Sequence, residues 1–97
     1  MSYRLWWRWN DGMAGHVWLS AEDAERLAAE MALQGCGGLA ERILSVEDEV
    51  TIKPQDITEA LESVSPEPIG PADPALWHDW VRFLEGAEER GGLLVRR

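Results

Sequence analysis

Residues 3–10 alternate with a period of two, and this run limits the fold more than any other part of the chain. Tyr3, Leu5, Trp7 and Trp9 project to one side; Arg4, Trp6, Arg8 and Asn10 project to the other. An aromatic run with that period is a half-buried β-strand. Asp11-Gly12-Met13-Ala14-Gly15 supplies turn residues, and His16 to Leu19 can return as a second strand. The pattern predicts a β-hairpin. Its Leu5, Trp7, Trp9, Val17 and Leu19 would face a core, while Arg4, Trp6, Arg8, His16 and Trp18 would face away.

The helical signals come after the hairpin. Ser20 suits an N-cap and Asp23 stands at the third helical position, a variant of the capping box. Ala24, Leu27, Ala28 and Met31 then recur on one face, and Gly35 can close the helix in the left-handed conformation, which predicts a helix over 21–34. Residues 39–46 are ambiguous: Leu39 to Leu44 contains good helix formers, yet Ile43 to Val46 suits a short strand, with a slight lean to helix. Val50 to Lys53 reads as a strand ended by Pro54, and Asp56 to Val64 as a helix. Three of the five prolines fall in 65–72, a surface loop. Asp73-Pro74 opens a last helix, with Asp capping and Pro at the first position. Its apolar stripe runs through Leu76, Trp77, Trp80, Val81, Leu84 and Ala87. Gly86 interrupts it at a cost of about 1 kcal/mol relative to Ala. Gly91-Gly92 ends the helix, and Leu93-Leu94-Val95 forms a final strand.

This order predicts a single α+β domain over residues 1–97. Its small antiparallel or mixed sheet has three to four strands: the N-terminal hairpin, a central strand and a C-terminal strand. About three helices pack mainly on one face. At 97 residues the chain can hide roughly two-thirds of its unfolded surface, enough for one core. Six tryptophans are many for such a core, and each indole N–H needs a partner, so some rings must lie at a boundary with water or another molecule.

Charge narrows the partners. A net charge of −9 disfavours nucleic acid, whose binders present a basic face to the phosphates. No apolar stretch approaches a membrane span, the start of the chain has no apolar leader, and the single Cys36 allows no intrachain disulfide. The expectation is a cytoplasmic protein. Arg outnumbers Lys eight to one, consistent with GC-rich bacterial coding.

Catalytic groups do not assemble. His78 and Asp79 are neighbours on the last helix, about 100° apart, and do not face each other. His16, His78 and Cys36 share no metal-ligand spacing, so no metal and no cofactor is expected. Gly35-Cys36-Gly37-Gly38 lacks the Lys-Ser/Thr of a phosphate loop. Its thiol reads as a small hydrophobe sooner than a reactive group. Glu47-Asp48-Glu49 lacks the spacing and glycine of a calcium loop. The reading is therefore not an enzyme.

The outer hairpin face carries the functional expectation. Arg4, Trp6, Arg8, His16 and Trp18 combine guanidiniums with indoles, residue types enriched at binding hot spots. Arg4, Arg8, Arg96 and Arg97 all sit in the terminal strands, whereas every acid lies between positions 11 and 89. Adjacent terminal strands would polarise the molecule into a basic aromatic sheet face and acidic helices. The plain alternative is an Arg–Trp ladder that only shields the sheet. The expected function is a non-catalytic protein-interaction module, either a homodimer or bound to a protein partner through this face. An immunity or inhibitor protein for a basic toxin or enzyme is a more specific form. A small-molecule binder with an aromatic pocket is the rival from another class.

Overall fold

The structure, a computed structural model, describes residues 2–9, 15–70 and 72–97. Its strands are β1 (Ser2–Trp7), β2 (His16–Ser20), β3 (Glu49–Ile52) and β4 (Leu93–Arg96). Its helices are α1 (Ala21–Leu33), α2 (Gly37–Leu44), α3 (Pro54–Ser63) and α4 (Pro74–Glu89). The strands form one antiparallel sheet in the order β2-β1-β4-β3. This is an α+β fold with its helices on one side of the sheet. The ambiguous segment after Cys36 is helical, and the mid-chain strand lies at the sheet edge. The hairpin turn at Asp11–Ala14, with Asn10, and Pro71 of the proline-rich loop lie outside the described residues.

Local chemistry accounts for the element ends. Ser20 Oγ accepts from the Asp23 amide at 3.1 Å, and Asp73 Oδ1 accepts from the Ala75 amide at 3.1 Å, satisfying donors that a helix start leaves free. Gly35, at φ +92°, closes α1: its amide donates to Ala32 and the Cys36 amide donates to Met31, the paired bonds of a Schellman motif.

The core lies between the sheet and the helices. From the sheet come Tyr3, Leu5, Leu19, Ile52, Leu93 and Val95. The helices answer with Leu27, Met31, Ile43, Ile57, Trp77, Trp80 and Leu84, all buried. Burying each such aliphatic side chain stabilises the fold by about 1.5–3 kcal/mol. The Cα radius of gyration is 12.0 Å, slightly tighter than the roughly 13 Å typical of this length.

Trp7 faces the core as its alternation requires. Its ring packs on Phe83 with centroids 5.7 Å apart, and its Nε1 donates to the Phe83 carbonyl at 3.0 Å. Gly86 makes this possible, because a Cβ there would stand 2.1 Å from Trp7 Cζ2. Trp9 corrects the expected register. It is 67% exposed rather than buried. β1 ends at Trp7, and the chain bends at Arg8-Trp9, so the indole runs past the helices and rests against Gly91.

The loop at 65–72 is strapped down from beneath. Glu30 on α1 is wholly buried. Its carboxylate accepts from the amides of Ile69 at 2.7 Å, Gly70 at 2.8 Å and Ala72 at 3.5 Å, and from Gln34 Nε2 at 2.8 Å. Gln34 Oε1 accepts from the Ser65 amide at 2.5 Å, and Trp77 Nε1 donates to the Ser65 carbonyl at 3.0 Å.

Candidate functional site

The pleat of the sheet decides which side chains share its outer face. β1 and β2 pair Arg4 with Trp18 and Trp6 with His16; β1 and β4 pair Arg4 with Arg96 and Trp6 with Leu94; β3 and β4 pair Glu49 with Arg96 and Thr51 with Leu94. Two rows therefore cross the face. One reads Trp18, Arg4, Arg96, Glu49; the other reads His16, Trp6, Leu94, Thr51. Among the described residues no helix lies over them. Trp18 is 58% exposed, Arg4, His16, Arg96, Glu49 and Thr51 are also exposed, and Trp6 and Leu94 are half-buried by neighbours on the same face.

Within the face, Trp6 stacks on His16 with centroids 5.0 Å apart and an interplanar angle of 22°. Arg96 Nε reaches Glu49 Oε2 at 3.4 Å in an exposed pair. Arg4 has no ion pair among the described residues, yet it stands directly opposite Arg96. Like charges set opposite one another across a sheet destabilise it, so the centre of the face holds cationic charge only partly offset by Glu49. The terminal strands are adjacent, as the polarised arrangement requires.

Of the residues singled out from sequence, Arg4, Trp6, His16 and Trp18 come together on this face. Arg8 is exposed in the bend beyond β1, its amide bonded to the Gly92 carbonyl at 3.0 Å. Sequence alone missed Leu94, Glu49 and Thr51 as members of the face, because membership depends on strand order. The charge distribution had pointed to Arg96.

The other candidates fall elsewhere. His78 and Asp79 are exposed, and His78 Nε2 lies 3.2 Å from Glu67 Oε1. Cys36 is buried, and burial, outweighing a hydrogen bond with Ser63, pushes its thiol above the usual range, the opposite of an activated nucleophile. Among the described residues no three His, Cys, Asp or Glu side chains converge to hold a metal, and no helix is long and apolar enough to cross a membrane. An open depression of about 260 Å³ lies beside Trp7, His16, Asp79 and Arg82, and a larger one of about 610 Å³ lies between α1 and α2 beside Ala28, Gly37 and Leu44. Comparison of the chain with protein-family models, curated proteins and solved structures finds no match.

Proposed function

We propose that this protein is a non-catalytic interaction module of a bacterial cytoplasm whose open sheet face docks a carboxylate-bearing segment of a protein partner. One observation carries the reading: the helix-free face sets Trp18 beside two opposed guanidiniums, Arg4 and Arg96, with one carboxylate to serve them. A partner carboxylate over Arg4 would relieve the like-charge pair, and the Trp18 and Trp6 rings would supply apolar area. Self-pairing through this face is disfavoured, because it would bring four guanidiniums together between bodies that each carry −9. Size points the same way. Four strands and about four residues of each give a platform of about 20 by 14 Å. That is well short of the roughly 800 Å² per partner of a standard stable interface. A short segment in transient contact fits it better than an obligate dimer.

Selection of random peptides on the immobilised protein tests the proposal. The enriched peptides should carry Asp or Glu, and binding should weaken at least tenfold in Arg4→Glu and in Trp18→Ala. Sedimentation over a concentration range should give a monomer. A selection that yields no acidic peptides, or acidic peptides that bind both variants as well as wild type, would refute the assignment, and a dimer broken by Trp18→Ala would replace the partner with a second copy.

A further inference from the structure

The helical side carries a second surface of opposite character. Between α3 and α4 runs an open groove of about 420 Å³, floored by Leu61, Val64 and Val81 and rimmed by Glu62, Glu85 and Glu88. The floor residues are half-buried, so their apolar surface is only partly covered by the chain itself.

The rim breaks three local rules at once. Glu62 and Glu88 stand in the last turns of α3 and α4, which contain no basic residue, and there the negative end of the helix dipole disfavours carboxylates. Glu85 and Glu88 are three apart on α4, and Glu85 and Glu89 four apart, both spacings at which like charges repel. None of Glu62, Glu85 and Glu88 has an ion-pair partner among the described residues. Of the other helical acids, Glu22 pairs with Arg26 at 2.6 Å and Asp56 with Arg42 at 2.7 Å, while Glu25, Glu41 and Glu59 have no ion pair among the described residues; what sets the rim apart is that its acids border an apolar floor. Arg82, three positions before Glu85, and Arg90 at the C-cap offset part of this on α4, whereas Glu62 at the end of α3 has no cation in its last turn; local conflicts of this kind mark the places where function is sought.

We propose that this groove is a docking site for a basic amphipathic helix of another protein. An apolar ridge would fill the floor, and Lys or Arg on either side would meet the two rims. From Thr58 to the end of α3 at Ser63 the groove follows about 8 Å of helix, about a turn and a half, and Val64 to Pro66 continue it past the helix end. Charge complementarity selects this occupant. A second copy presenting the same acidic groove, or an acidic peptide, would add to the repulsion already present. The site is independent of the sheet face, with opposite charge and different residues.

The test uses the whole protein and a 14-residue peptide with Leu at positions i, i+3, i+4 and i+7 and Lys elsewhere. A control of identical composition has its Leu positions scrambled. Amide chemical shifts are followed during titration. Saturable shifts confined to residues 58–66 and 81–88 are expected, with the scrambled peptide at least tenfold weaker. Glu85→Lys with Glu88→Lys should lower affinity at least tenfold, and Trp18→Ala should leave it unchanged. Glu62→Lys, on the opposite rim, gives an independent reading should the α4 pair perturb folding. Equal binding of the scrambled peptide, shifts spread over all the acidic helices, shifts on the sheet face, or affinity indifferent to charge reversal at the rim would each overturn the proposal.

Discussion

Glycine at position 86 shows how a residue can break a local rule for a tertiary reason. Replacing a mid-helix glycine by alanine normally gains about 1 kcal/mol. Here the new methyl would overlap the Trp7 indole, whose Cζ2 would lie 2.1 Å from it. Gly86→Ala is therefore expected to destabilise the protein, by about 1–3 kcal/mol as in other overpacked cores, and to shift Trp emission; urea unfolding and fluorescence check both. Trp77 and Trp80 make a second contrast. Both are buried, but Trp77 donates to Ser65, whereas Trp80 Nε1 has no partner among the described residues. An unpaired buried N–H costs about 1–3 kcal/mol. Trp80→Phe should thus lose less stability than Trp77→Phe in parallel denaturant titrations. The alternation of residues 3–9 reveals which side Trp7 takes but not where the strand stops, so the exposure of Trp9 could not be read from it. The partner of Gly86 is invisible for a related reason: it lies in β1, 79 positions away by residue number.

Among the elements, the caps and stripes were legible because their causes are local. Ser20, Gly35 and Asp73-Pro74 act within a few residues of themselves, and the stripe of α4 buries Trp77, Trp80 and Leu84 as its spacing requires. The strap formed by Glu30 was not legible. On α1 it is one carboxylate among several, and only the fold brings the backbone amides of residues 69, 70 and 72 to it. Burial alone would raise its pKa, but Gln34 and those three amides outweigh burial and hold the carboxyl below its ordinary value. A carboxyl depressed in the folded state adds stability that is present above its unfolded pKa, about 4.3, and lost as pH falls through the folded value. Stability should accordingly decline below about pH 4.5, with amide exchange at 65–72 rising first. Glu30→Gln should remove part of that acid dependence and cost about 1–3 kcal/mol at pH 7, since one carbonyl oxygen cannot serve all the amides. Unchanged exchange in the loop of this variant would show that the strap does not hold it.

At the level of the whole molecule, the sequence disclosed the polarity but not its layout. The arginines of the terminal strands and the acids between them gave the two signs. Strand order alone put Arg4 opposite Arg96 and left the pair beside Trp18. The same order explains why part of the docking face was missed: Leu94, Glu49 and Thr51 reach it only because β4 and β3 extend the hairpin on one side.

The place of β4 has a consequence for how the chain is made. It is an inner strand, bonded to β1 on one side and β3 on the other, and its pairing with β1 joins the most distant parts of the sequence. Contacts of such long range are the slow ones to form. Until residues 93–96 have been synthesised, β3 has no neighbour and β1 keeps one open edge. A truncated polypeptide ending at Gly92 should therefore show weak circular dichroism in the strand region and rapid proteolysis, whereas the 97-residue chain resists both. Termination before residue 93 would yield a degradable fragment and no partly working product.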